Sequence, residues 1–302
     1  MVMATPLIQA VKNRWPEAEI NVLTERRAVD VVKGWNIISH IFLMEEKGWE
    51  RIFYTEWDKV FVCEPFSPDE IHDPKKLLTK DLRWHGRANL FKKHEVIQNL
   101  DLLEKDKPAE VPAQYIQSHC ADFKIASDLL APITNYKNLV GICYGYAGKA
   151  HHRKNWGAEK YVELAKKLEA DGSGIIIIGG TNEAEEVSKF SEINNKVIAI
   201  KQPLAVTAAL TSLCDLFICN DCGPMHVAAA MQVPTIAIFG PTYQVKNRPW
   251  MDEDLSYIFQ SKLSCVPCYF SKNYSTCSDH ACMKSISVEQ VFNKAQEFLK
   301  VK

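Results

Sequence analysis

The second half of the chain repeats one pattern that few folds accommodate. Short apolar runs rich in β-branched residues occur at 139–143, 175–178, 197–200, 216–219 and 235–239. Such runs are too short for helices, and they lack the apolar–polar alternation of a half-exposed strand. They therefore read as strands buried on both faces. The stretches between them read as helices. Residues 157–170 place Tyr161, Val162, Ala165 and Leu168 on one face and stop at Asp171–Gly172. Helices are also expected over 183–190, 204–214 and 225–231. Four or five strands separated by helices give an open parallel sheet with helices on both sides.

The first half shows the same alternation less clearly. A helix is expected over 7–14, a strand over 20–23, a helix near 28–33, strands near 41–44 and 60–63, and a helix closing at 100–103. Residues 65–93 between them are polar, irregular and basic. The charged stretch 105–112, with Pro108 and Pro112, together with 131–137, reads as the inter-domain connection. The division expected is 1–132 and 133–302. A capping box, Ser287 with Gln290, opens a final helix with Val288, Val291, Phe292, Ala295, Phe298 and Leu299 on one face.

Composition narrows the function classes. The 302 residues carry 36 Lys+Arg against 37 Asp+Glu, and this near neutrality argues against a dedicated nucleic-acid partner. No apolar run approaches the roughly 18 residues of a membrane span, and the start MVMATPLIQA lacks the layout of a signal peptide. The expected location is the cytoplasm.

The segment NDCGPMHVAAA, Asn220 to Ala230, follows an apolar strand and opens a helix. Gly223 is suited to positive φ in a sharp turn, and Pro224 to the first helical position. The following amides and the helix dipole would favour an anion such as a diphosphate. Asp221 sits at the strand end and His226 in the first turn. An ordinary capped strand–helix turn explains the spacing equally well. The segment GYAGKAHHRKNW, Gly145 to Trp156, concentrates Lys149, His151, His152, Arg153 and Lys154 after another strand. A solvated basic loop is its plain alternative. Its place at the carboxyl end of a parallel strand favours a ligand, because open α/β sheets bind ligands there. Gly179–Gly180 and Phe239-Gly240-Pro241-Thr242 occupy equivalent strand ends. With no GxGxxG and no Walker A sequence, a dinucleotide redox site and a P-loop are disfavoured.

Of ten cysteines, Cys265, Cys268, Cys277 and Cys282 crowd together near the C-terminus, with His280 among them. Pairs spaced two and four apart are compatible with a structural metal site. Only eight residues separate the pairs, which is short for a zinc ribbon, so reduced packing cysteines or an adventitious disulfide account for them as well.

These motifs resemble glycosyltransferase family 9, the ADP-heptose–lipopolysaccharide heptosyltransferases. MVMATPLIQAVKNRWPEAEINVLT is similar to that family's first helix and second strand, and HEVIQNLDLLEK to the segment before its linker. NDCGPMHVAAAMQVPTIAIFGPT matches its most specific motif, and CVPC…CSDHACM also occurs in it. The resemblance implies a GT-B architecture: two Rossmann-like domains facing across a cleft, the last helix crossing back to the first. It implies inverting transfer of a sugar, heptose from ADP-heptose, onto a lipopolysaccharide core or related surface glycan, with no cofactor and no catalytic metal. A same-family transferase with another nucleotide sugar, or a nucleotide-sugar-binding protein without turnover, stays open beside it.

Residue by residue, the resemblance makes Lys154 the group that neutralises the leaving diphosphate. It assigns donor contacts to Gly145, Asp221, Cys222, Gly223, Met225 and His226, and more weakly to Glu183, Thr242 and Arg248. Cys222 stands where a Ser or Thr is usual. The acceptor implied is an anionic glycolipid at the inner face of the cytoplasmic membrane, for which Arg83, Arg87, Lys92 and Lys93 are candidates, as they are for a solvated basic loop. In the family a strand ending in Gly-Asp precedes the first helix, and its Asp is the general base. This chain begins immediately after that point, so the expectation is a start at an internal methionine, with the first strand and the base missing. Loss of a general base costs about 10²–10⁴-fold in rate.

Overall fold

The computed structural model describes residues 1–47, 49–63, 79, 81–84, 92–133, 135–145, 153–179 and 187–300. The chain divides into two compact units, Met1–Gln117 and Ser118–Lys302.

The first unit opens with α1 (Thr5–Arg14), whose second residue is Pro6. Strands β1 (Asn21–Thr24) and β2 (His40–Leu43) form a parallel pair, and β3 (Val60–Val62) and β4 (Leu82–Trp84) form another. The link expected to be a helix near 28–33 is a 3-10 segment, Arg26–Val31. Its β-branched Val29 and Val31, with Gly34 close behind, favour a short tight turn over an α-helix. β4 lies inside the stretch read as irregular. Helix α2 (Glu95–Asp101) packs on α1, and Asn99 Nδ2 donates to the Met3 carbonyl at 3.0 Å. Together α1, β1 and β3 line a cavity of about 1630 Å³.

The second unit adds α3 (Cys120–Leu130), then β5 (Asn138–Cys143), α4 (Ala158–Ala170), β6 (Ser173–Gly179) and β7 (Lys196–Ile200). It continues through α5 (Leu204–Ser212), β8 (Leu216–Asn220), α6 (Gly223–Ala230), β9 (Thr235–Phe239), α7 (Gln244–Asn247) and β10 (Ser256–Gln260). Two short helices, α8 (Lys272–Thr276) and α9 (Ala281–Lys284), lead to α10 (Val288–Lys300). The sheet is parallel throughout, in the order β10-β9-β8-β5-β6-β7. This is the doubly wound order, with its reversal of direction between β5 and β8.

The pleat sorts the strand residues into two cores. Val140, Ile142, Ile175, Ile177, Leu216, Ile218, Ile236 and Ile238 pack with α4 and α10 on one face. Their alternates, including Ile176, Ile178, Phe217, Cys219, Ala237 and Phe239, pack with α5 and α6 on the other. Two expectations change here. The sheet gains a sixth strand, β10, and α3 packs on α5 as part of the second unit. After the capping box of Ser287 and Gln290, the apolar stripe of α10 places Val288, Val291, Ala295 and Leu299 in the second unit's core.

Gly141 sits in the middle of β5 opposite Phe217. A Cβ there would stand 2.6 Å from the Phe217 ring and 3.0 Å from Cys214 Sγ. A fully buried ring between strands has nowhere to retreat. Gly141→Ala is expected to cost on the order of 2 kcal/mol by overpacking. That corresponds to a melting temperature about 4–8 °C lower, measurable by calorimetry.

Candidate functional site

The chain leaves β5 toward α4 on one face and leaves β8 toward α6 on the other. Adjacent parallel strands whose exits diverge open a crevice at their carboxyl ends. Asn220, the last residue of β8 and fully buried, ties the two exits together. Its Oδ1 accepts from the Trp156 amide at 3.3 Å and from the Tyr161 hydroxyl at 2.9 Å. Its Nδ2 donates to the carbonyls of Tyr144 at 3.1 Å and Gly145 at 3.2 Å. Both amide atoms are thus occupied, and the opposite amide orientation would set donor against donor at Trp156. The end of the β5 loop is held in register with β8. Sequence reading placed Asn220 in the motif but gave it no role. A buried Asn closing an apolar strand was the available signal, since an unpaired amide there is costly.

This latch brings Lys154 to Asp221. Nζ lies 3.0 Å from Asp221 Oδ2, with the side chains 13% and 5% exposed. Lys154 is therefore half of a nearly buried ion pair, not a side chain in an open polar loop. The same ammonium stands 4.9 Å from the centre of the Tyr269 ring. Tyr269 arrives from the far end of the unit, and the amides of Cys268 and Tyr269 both donate to the Pro241 carbonyl, at 2.8 and 2.9 Å. Burial, with the Asp221 charge adding to it, pushes the Tyr269 phenol above its ordinary range, so it is neutral at pH 7. Arg153 binds the same distal segment: it donates to the carbonyls of Cys277 and Ser275, each at 3.2 Å, and lies over the Tyr274 ring at 5.3 Å. No spacing rule in the sequence linked Tyr269 to Lys154, because they lie 115 positions apart.

The start of α6 differs from expectation in detail. Gly223 is its first helical residue and is not in positive φ. A Cβ on it would meet nothing within 4 Å, so the glycine leaves open space instead of making a sharp turn. Pro224 has no amide proton, and the Met225 amide donates to the Cys222 carbonyl at 3.2 Å. Within the helix, the amides of Cys222 and Gly223 are then left without an acceptor. The Cys222 side chain is buried, with Sγ 3.9 Å from Cys143 Sγ, and Met225 is fully buried in the core. Both side chains pack under the sheet end, where apolar groups gain from burial. His226 is half-buried on the first turn. Gly145 contributes its carbonyl to Asn220.

The remaining candidates disperse. Thr242 is fully buried, and its hydroxyl has no hydrogen-bond partner among the described residues. Arg248 pairs with Glu253 at 2.8 Å in an exposed position. Glu183, Gly180, Ala147, Gly148, Lys149, His151, His152 and Arg87 lie outside the described residues. Among the described residues no three His, Cys, Asp or Glu side chains come together to hold a metal ion. Of the four C-terminal cysteines, Cys265 is exposed, Cys282 is buried, and all are free thiols. In the first unit Arg83 is drawn inward by Asp81, at 2.8 and 2.9 Å, and by the Leu102 carbonyl at 3.1 Å. Lys93 pairs with Asp101 at 2.7 Å, and Lys92 is exposed.

Comparison with known proteins gives a consistent result. The model of glycosyltransferase family 9 (heptosyltransferase) matches residues 76–277. Lipooligosaccharide heptosyltransferase 2 of Campylobacter jejuni is 30% identical over 238 residues, which span 74% of this chain and 70% of that protein. A glycosyltransferase of family 9 from Veillonella parvula superposes with a TM-score of 0.79 at 20% identity, covering 100% of this chain and 94% of that one. The E. coli ADP-heptose lipopolysaccharide heptosyltransferase II gives 0.76 at 18% identity, covering 99% and 95%. At these identities the two structures establish a shared α/β fold with parallel sheets. No described helix is long and apolar enough to cross a membrane.

Proposed function

The chain belongs to glycosyltransferase family 9, and on that premise we propose that it is a heptosyltransferase of lipopolysaccharide biosynthesis, moving heptose from ADP-heptose with inversion at the anomeric carbon. The observation that carries this reading is the nearly buried Lys154–Asp221 pair at the point where β5 and β8 diverge. When the bond between sugar and phosphate breaks, negative charge builds on the departing diphosphate. A fixed ammonium in a weakly solvated site stabilises that charge more than water does, and it needs no reorganisation as the charge develops. Asp221 keeps the ammonium in place, and its remaining lone pairs suit hydroxyl donors on a sugar. The amides of Cys222 and Gly223, at the positive end of the α6 dipole and one and two residues after Asp221, suit a diphosphate. The acceptor proposed is an anionic glycolipid, the relatives being lipopolysaccharide and lipooligosaccharide enzymes by name.

Calorimetric titration with ADP and a radiolabelled transfer assay from ADP-heptose to heptose-deficient lipopolysaccharide test the reading. ADP binding with release of ADP from ADP-heptose in the presence of acceptor is expected. Failure to bind ADP, with tighter binding of a uridine or guanosine diphosphate, overturns the donor assignment.

The open space beside Gly223 yields a sharper outcome. Gly223→Ala puts a methyl group where the phosphate approaches, while improving helix propensity. The variant is expected to melt no lower than the wild type and to bind ADP about tenfold more weakly. Unchanged ADP affinity would show that α6 does not receive the diphosphate.

A further inference from the structure

The segment from Cys265 to Cys282 lies beyond the last strand of the sheet, and the proposed reaction leaves it without a task. Its geometry is nevertheless committed to Lys154. The Tyr269 ring centre is 4.9 Å from Lys154 Nζ, and Tyr274 packs edge-on against Tyr269 at 4.9 Å while carrying Arg153 over its own face. Two neighbouring cations are thus seated on two neighbouring rings. The turn that presents Tyr269 is over-determined. Two successive amides converge on the Pro241 carbonyl, and the Ser271 amide closes back on Cys268 at 2.9 Å. The next residue, Phe270, is held at φ +66° and is 73% exposed. A bulky residue in the left-handed region persists only where its surroundings impose it, and such residues gather at functional sites.

We propose that Tyr269 is a positioning residue: its ring holds the Lys154 ammonium against Asp221, so that the distal segment sets the cation of the phosphate site. A ring face attracts an ammonium through its quadrupole without adding charge, whereas a second carboxylate beside Asp221 would leave the site net negative and repel the departing phosphate. The neutral phenol beside Asp221 fits that division of labour, because a phenolate would repel both the carboxylate and the incoming diphosphate. The placement of Lys154 follows from the geometry alone, and its consequence for the donor rests on the heptosyltransferase reading.

The test compares Tyr269→Phe, which keeps the ring face, with Tyr269→Leu and Tyr269→Gln, which remove it. The first measurement needs no nucleotide: the rate at which N-hydroxysuccinimide acetate acylates Lys154, followed by peptide mass spectrometry against the exposed Lys124 of α3 as internal reference. Acylation is expected to be several-fold faster in the Leu and Gln variants and unchanged in the Phe variant. Equal rates in all four proteins, or equal acceleration in Phe and Leu, overturn the proposal. The second measurement is the dissociation constant for ADP. It should rise about tenfold in Tyr269→Leu, stay within about twofold in Tyr269→Phe, and be insensitive to Tyr269→Leu once Lys154 is already methionine. A wild type that binds no ADP refutes the donor reading and leaves acylation to decide the placement of Lys154. Loss of folding by circular dichroism in both the Leu and Gln variants makes Tyr269 a structural residue and also overturns the proposal.

Discussion

Lys154→Met is expected to lower heptose transfer by about 10²–10³-fold at saturating donor, the loss typical of removing one preorganised electrostatic group. The same change also destabilises the second unit. Asp221 is only 5% exposed, and without its partner at 3.0 Å its charge is left uncompensated in a poorly solvated place. For fully buried pairs that penalty is about 3–5 kcal/mol, and here it is smaller because Lys154 keeps some contact with water. The two effects are separable. Lys154→Met combined with Asp221→Asn removes both charges, so it should recover much of the melting temperature while transfer stays low. If the double variant is stable and transfers heptose near the wild-type rate, Lys154 does not stabilise the leaving group. A stable single variant with normal transfer has the same meaning.

Asn220→Ala is expected to be the most damaging substitution outside the ion pair. It deletes four hydrogen bonds at once and leaves the Trp156 amide, the Tyr161 hydroxyl and the carbonyls of Tyr144 and Gly145 without their partner. Each orphaned buried group costs about 1–3 kcal/mol, partly relieved by relaxation or a trapped water. A net loss on the order of 3 kcal/mol corresponds to a melting temperature about 6–12 °C lower for a unit of this size. Asn220→Asp should be no better, because a carboxylate would turn an oxygen onto two carbonyls. ADP affinity should fall along with stability, since the Trp156 amide holds the chain two residues from Lys154. A variant that melts normally and binds ADP with unchanged affinity would show that the latch is not what joins the β5 loop to β8. Normal melting with weakened ADP binding would mean that the latch positions the loop without stabilising the sheet.

Much of the fold was legible in the residues. The runs at 139–143, 175–178, 197–200, 216–219 and 235–239 became β5 to β9; four of them are buried on both faces between two helical layers, whereas β7 lies at the sheet edge and leaves Ile198 39% exposed. Weaker patterns were missed. β10 carries the mixed sequence SYIFQ and lies at the sheet edge, where one side needs no cover. Helix α3 has a single fully buried residue, Ala126, so its composition reads as a connector. Gly223 was read as a turn glycine, although its φ is helical; its missing side chain bears on the space outside the helix.

The chain alone determined the chemistry available at the strand ends. It placed Lys154 after one buried strand and Asp221 after another, and it put a glycine and a proline at the start of the following helix. These are local matters, governed by backbone propensity and by which groups may follow a buried strand. Only the tertiary structure decided which of those groups meet. The reversal of strand order sets β5 beside β8, so that residues 67 positions apart form one ion pair, and Asn220 locks the two exits together. The same packing turned Cys222 and Met225 into the core, buried Thr242, and carried Tyr269 across the unit to Lys154. Contacts between distant segments depend on how whole layers stack, and no local pattern encodes that arrangement.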